Sequence, residues 1–266
     1  MLESEGYLIL AMVRDEQPAV TLFAIGMVGL GVLALIWGDF ALVWQPVAAW
    51  VPGRTILAYG SGLLMLLCGA GLLLRNTVTW SVRILFPYLI LWAFLKIPSL
   101  VVAPQIEAVW LGLGELAMLL AGGWILFARF AALKGESRLA SITGERGVRM
   151  AWLLFAVSLI PVGLSHLVYE KETVNLVPAW LPYRIGWAYA TGAGQMACGV
   201  GMLVSILPRT AAITEAGMLS LFTVLVWAPA IVATPGKRLP WTAFFISWAI
   251  ASAGWVVAGS SARRVS

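Results

Sequence analysis

An all-α protein embedded in a bilayer, with eight transmembrane helices arranged as two parallel four-helix-bundle repeats, is what three observations in this sequence predict. Hydrophobic residues fill 61% of the 266 positions and charged residues only 11%, less than half the charge of a soluble domain at about 25%. Runs such as Ile56 to Leu74, Val148 to Leu164 and Leu239 to Gly259 are nearly free of charge. They approach the roughly 20 residues a helix needs to cross about 30 Å of hydrocarbon. Finally, the phrase WVPGR at 50–54 returns as WLPYR at 180–184.

Pro, Gly and charge clusters mark where each span starts and stops. Span one, 18–38, follows the charged Arg14 to Glu16 and ends at Gly38. Span two, 54–75, opens after Pro52 and Gly53 and closes at Arg75, and span three, 80–102, stops before Pro104. Span four, 106–129, closes at Arg129; span five, 148–168, ends before Glu170. Spans six, seven and eight, 184–206, 211–233 and 240–260, are separated by Pro208, Pro235 and Pro240. Backbone groups in lipid must be satisfied internally, and runs without two-residue alternation exclude a membrane barrel. The opening MLESEGYLILAMVRDE is acidic where a signal peptide would be basic, so it is expected to be a short interfacial segment.

Eight spans place both termini on one side. Eleven Lys and Arg fall on that side and five on the other, with Lys96 inside span three. The positive-inside rule then makes the termini cytoplasmic, in a multi-pass protein of the cell membrane, bacterial inner membrane type. The net charge of +5 comes from these loops and suits anionic lipid, not nucleic acid, since no basic cluster interleaved with aromatics is present.

The repeat extends well beyond five residues. At a spacing of 130, Trp50, Pro52, Arg54, Ala58, Tyr59, Gly62, Cys68, Gly69 and Gly71 meet Trp180, Pro182, Arg184, Ala188, Tyr189, Gly192, Cys198, Gly199 and Gly201. After one inserted residue, Pro98, Pro104, Trp110, Gly123 and Trp124 meet Pro229, Pro235, Trp241, Gly254 and Trp255. The expected organisation is a first repeat at 1–129, a basic cytoplasmic linker at 130–147 and a second repeat at 148–266. Four spans per repeat means both enter the membrane in the same direction, as parallel repeats side by side.

The second half, GLSHLVYEKETVNLVPAWLPYRIGWAYATGAGQMACGVGML, resembles the DoxX-like membrane proteins. Their four-helix unit carries a His near the end of its first helix, then a P-x-W-x-P loop and a small-residue helix with G-x-x-E. His166, Pro178, Trp180, Pro182 and Gly192 sit at the matching places. The first half, WGDFALVWQPVAAWVPGR followed by WLGLGELAMLLAGG, is similar to a divergent copy. The acid of that second helix is replaced by Gln195, which with Asp39 and Tyr169 joins the candidates for ligand or proton handling, and by Met65 in the first half. The family name comes from a thiosulfate:quinone oxidoreductase, so the resemblance implies quinone-linked chemistry as one expectation.

Among single residues, Glu115 stands out. Eleven residues past Pro104, it lies about 16 Å into the membrane, where an acid must face the bundle interior and be protonated or paired. Lys96 on the neighbouring span is at a compatible depth, so a Lys96–Glu115 contact is expected, either as a structural clasp or as a ligand- or proton-handling pair. The second half holds Trp227 and Ile246 at these positions. His166, the only histidine, ends span five with Tyr169, Glu170 and Glu172 close by; it can bond a quinone headgroup or simply a nearby carbonyl. Asp39 holds a similar place at the end of span one. One histidine builds no metal cluster or catalytic triad, so no metal is expected.

Cys68 and Cys198 lie deep in lipid, where a thiolate is hard to form; they and the adjacent glycines are expected to let helices approach closely. Trp44, Trp50, Arg54, Trp180, Tyr183 and Arg184 belong to the two outer loops, as rigid lids or as interfacial anchors. An Arg at a helix N-terminus opposes the dipole, so Arg54 and Arg184 are expected to pair with an acid or a lipid phosphate.

No cofactor motif is evident, and a quinone is the one cofactor this reading admits. The leading function is an accessory or binding protein for a quinone-like or other small lipophile, redox-linked or not. The alternatives are a small-lipophile transporter using a cavity between bundles, and a scaffold subunit docking a membrane-protein partner. No catalytic constellation is complete, which favours binding over a self-sufficient enzyme.

Overall fold

The computed structural model describes residues 2–42, 44–131 and 142–260, with side chains from residue 17 onward. Ten of the eighteen positions assigned to the linker, 132–141, therefore lie outside the described residues. Among the described residues the structure is helical and without strands.

Helix α1 runs unbroken from Leu2 to Trp37, so the segment expected to be a separate interfacial piece continues directly into the first span. Gly38, at φ +58°, ends it in the left-handed conformation that glycine adopts without cost. Helices α2 (Arg54–Leu72) and α3 (Val78–Val102) follow, joined by a tight turn in which the Thr77 hydroxyl donates to the Gly71 carbonyl at 2.8 Å. α4 spans Glu107–Phe130, α5 Gly144–Val168 and the short α6 Glu170–Leu176. α7 covers Arg184–Leu203 and α8 Pro208–Phe222. A π-helical turn at Thr223–Trp227 leads into α9 (Ala228–Ala233), and α10 (Arg238–Ser260) completes the described chain.

Among the described residues seven helices are long and apolar enough to cross a membrane: Gln17–Trp37, Arg54–Leu72, Val78–Val102, Glu107–Phe130, Gly144–Val168, Pro208–Ala233 and Arg238–Ser260. Of the eight expected spans, the sixth is the one that falls short. α7 has 20 residues, but Gly186, Gly192, Gly194, Gly199, Gly201 and Gln195 dilute its apolar content.

α1, α4, α5 and α10 form the inner layer, with α4 against α5, α1 against α10 and α4 against α10. α2 and α3 flank α1 and α4 on one side; α7 and α8 flank α5 and α10 on the other. One apolar cluster threads the whole, from Phe23 and Met27 through Leu119 and Ile125 to Phe155 and Val257. Glycines allow the closest approaches: a Cβ on Gly122 would stand 2.6 Å from that of Ala253. At these residues the contact between halves is packed core.

Local geometry recurs at the spacings noted in the sequence. Arg54 Nε donates to the Val47 carbonyl at 3.2 Å and Arg184 Nε to the Val177 carbonyl at 3.0 Å. Trp110 and Trp241 each donate to a carbonyl six residues back, Pro104 and Pro235, both at 2.8 Å. A Cβ on Gly69 would meet the Ala24 carbonyl, and one on Gly199 the Ala156 carbonyl. Buried positions on α3 (Val82, Leu85, Phe86, Leu89) match buried positions on α8 (Ala212, Glu215, Ala216, Leu219) at the spacing of 130. The π turn follows, and a π turn accommodates one extra residue. Beyond it the prolines stand 131 apart.

Candidate functional site

The second half's polar seam lies where α5, α7 and α8 meet. Gly192 lets α7 press on α5, its α-carbon so near that a Cβ would stand 2.7 Å from the His166 Cβ and 2.6 Å from the Gly163 carbonyl. The half-buried His166 ring meets Thr191 Oγ1 through Nδ1 at 2.9 Å and tilts against Phe222 at 5.8 Å between centroids. The Thr191 hydroxyl donates to the carbonyl of Trp187 at 2.9 Å, with Ala188 as its alternative at 3.1 Å. Which of Nδ1 and Oγ1 donates follows the ring tautomer, and the Ala188 carbonyl also accepts from the ring.

One turn further along α7, Gln195 Nε2 donates to Glu215 Oε1 on α8 at 3.1 Å, and both side chains have 0% exposure. Glu215 has no precedent in the sequence reading. It stands four residues inside the expected seventh span, where an acid passes for a surface group, yet α8 begins at Pro208 and carries it inward.

The equivalent seam of the first half has different chemistry. A Cβ on Gly62 would stand 2.8 Å from the Ala34 Cβ, so Ala34, and not Asp39, occupies the place of His166. Around it Gln45 Nε2 donates to Ser61 Oγ at 2.9 Å and to Tyr88 Oη at 2.7 Å, those two hydroxyls are 2.6 Å apart, and Gln45 Oε1 accepts from Ala41 N at 2.8 Å. This network is buried and closed.

Asp39 instead anchors an ionic cluster. It pairs with Arg54 through Oδ1 and with Arg238 of α10 through Oδ2 at 2.7 Å, and it accepts from Phe40 N at 2.8 Å. Desolvation opposes its charge, but the hydrogen bonds from Arg238, Phe40 and Arg54 prevail and hold its carboxyl below the usual value. The acid expected for Arg54 is thus present. Arg184 has no such acid: besides Val177 it donates to the Val174 carbonyl.

Lys96 and Glu115 lie close enough on α3 and α4 for their charges to attract. Gly112 makes room for the lysine, since a Cβ there would stand 2.7 Å from Nζ. Tyr169 Oη accepts from Ala108 N at 3.0 Å, bridging the halves, while Glu170 accepts from Tyr189; neither acts on His166. Glu107, first residue of α4, keeps both carboxylate oxygens buried without a hydrogen-bond partner, at a helix N-terminus that favours negative charge.

The outer-loop group divides. Trp50 and Trp180 are 82% and 70% exposed, and Tyr183 is exposed as well, but Trp44 is 1% exposed and belongs to the core, not to a lid. Cys68 and Cys198 are free and buried. Two cavities lie away from His166. One of about 280 Å³ is lined by Pro18, Leu22, Arg209 and Trp255, and one of about 290 Å³ by Glu145, Arg149, Trp152 and Ser205. Among the described residues no group of His, Cys, Asp and Glu could hold a metal ion.

A family model described as a domain of unknown function (DUF8561) matches residues 155–253, less than half of the chain. No curated protein and no solved structure matches.

Proposed function

We propose that this is a DoxX-like multi-pass membrane protein that binds the polar head of a quinone-like lipophile at His166, as a binding or accessory component and not a self-sufficient enzyme. Eight long helices, α7 included, cross the bilayer as two parallel repeats. The paired Arg–carbonyl and Trp–carbonyl bonds support the repeat. The excess of Lys and Arg on the side of the termini supports a cytoplasmic location for them, in a membrane of the bacterial inner type.

The observation that carries the reading is the fixed ring of His166. Nδ1 stands 2.9 Å from Thr191 Oγ1, and Phe222 supports one face. In the tautomer that protonates Nδ1, Nε2 accepts a hydroxyl such as that of a quinol, and Phe222 offers apolar surface beside it. In the first half Ala34 and the closed Gln45–Ser61–Tyr88 network occupy the same place, so one headgroup site per chain follows. Lys96 and Glu115 are assigned to holding α3 against α4.

A photoreactive quinol analogue titrated against protein in lipid nanodiscs tests this. His166→Ala should weaken binding about tenfold, the upper end of what one hydrogen bond contributes, and labelling should map to α5, α7 and α8. Equal affinity in wild type and variant would remove the proposal.

A further inference from the structure

Gln195 and Glu215 are both fully buried, and two of their oxygens, Gln195 Oε1 and Glu215 Oε2, have no hydrogen-bond partner. Among the described residues no ion pair involves Glu215, and its one hydrogen bond comes from the Gln195 amide. As a carboxylate it would be an uncompensated charge in the membrane interior, which is prohibitively costly. Two orphan acceptors and a missing positive charge are the same deficit counted twice. One proton on Glu215 Oε2 removes both: the acid becomes neutral, and its O–H is the single donor that Gln195 Oε1 lacks.

We propose that Glu215 and Gln195 form a buried proton-binding site, in which a solvent-derived proton rests on Glu215 Oε2 and is shared toward Gln195 Oε1. A bound metal cation fits less well, because hard cations take about six or more oxygen ligands and this site offers one carboxyl and one amide. Cys198, within electrostatic range of Glu215, adds only a thiol. The first half carries Met65 and Leu85 at the matching positions, both buried, so the proton site exists once. It lies on the same seam as His166: Gln195 is one turn from Thr191, about 6 Å along α7, and Glu215 two turns from Phe222, about 10 Å along α8. This inference does not depend on the lipophile reading.

Difference infrared spectroscopy of the protein in liposomes reads the site directly. At neutral pH, wild type should show the carbonyl stretch of a protonated carboxylic acid that shifts in D2O, and Glu215→Gln should remove it. Gln195→Leu should keep the band but move it toward the position of a free acid. Should Glu215→Gln fail to fold, the double variant Gln195→Met with Glu215→Leu imports the first half's apolar pair; it should fold and lack the band. No such band in wild type, a band that survives loss of Glu215, or its disappearance on adding sodium or potassium ions at constant pH would overturn the proposal. Failure of quinol binding with the band intact would count against His166 alone.

Discussion

At three stations spaced 130 residues apart the two halves carry opposite chemistry. On α2 and α3 the buried residues are Met65 and Leu85; where α7 meets α8, Gln195 bonds Glu215. Beside them Ser61 is sealed under Tyr88 and Gln45, whereas Thr191 meets the half-buried His166. At the outer corner Arg54 neutralises an acid, whereas Arg184 only caps carbonyls. At these stations the first half is apolar or paired, whereas the second carries a buried acid–amide pair, a histidine and an arginine bonded to carbonyls. Side chains at a few positions therefore set the two halves apart.

The most disruptive way to break this comparison is to put the second half's acid into the first. Leu85→Glu would bury a carboxyl with no amide beside it, and stability should fall by about 3 kcal/mol or more. Adding Met65→Gln should recover part of that loss, because it recreates the amide–acid pair. Thermal unfolding in detergent of both single variants and the double variant gives the coupling. A double variant no more stable than Leu85→Glu alone would mean the second half's pair depends on surroundings other than Gln195.

A smaller effect is expected at the ionic corner. Asp39→Asn leaves Arg54 and Arg238 without their carboxylate, and because the cluster is about a quarter exposed the cost should be roughly 1–2 kcal/mol. Its pH dependence has a definite sign. The folded-state pKa of Asp39 is lowered, so its stabilisation is complete above the unfolded value near 3.9 and is lost as pH falls through the lower folded value. The gap in melting temperature between wild type and Asp39→Asn should therefore be full at pH 7 and shrink below about pH 4. A gap that widens in acid would rule out the carboxylate as the stabilising group.

How much of this was legible beforehand follows the range of each interaction. The spans were visible because lipid demands uncharged runs, and Pro52, Pro104 and Pro182 mark their edges locally. Arg54 pointed to an acid because a cation at a helix N-terminus needs one, and Asp39 is nearby in sequence. Arg238, 199 residues from Asp39, gave no such sign. Gln195 was noticed as a departure from a pattern, but only helix packing brings Glu215 to it. Asp39 was matched to His166 by its place near a span end, yet side-chain registry along α1 and α5 gives that position to Ala34. The π turn was legible only as a change of spacing from 130 to 131.

The smallest expected effect lies in the two phrases that mark the repeat. Gly53 and Tyr183 precede α2 and α7 with φ of +66° and +53°. Glycine adopts this left-handed region freely, whereas a side chain there costs about 1–2 kcal/mol. Tyr183 is exposed, but its ring lies over Gly186, where a Cβ would come within 2.2 Å of it, so some packing offsets the strain. Tyr183→Gly should thus raise stability by no more than about 1 kcal/mol in a melting experiment. The reverse change, Gly53→Tyr, should lower it by a similar amount, because nothing lies within 4 Å of Gly53 to receive a ring. If Tyr183→Gly instead destabilises the protein, the ring's contact with Gly186 outweighs the backbone strain. The outer corner of the second half would then be held by its side chain and that of the first half by its glycine.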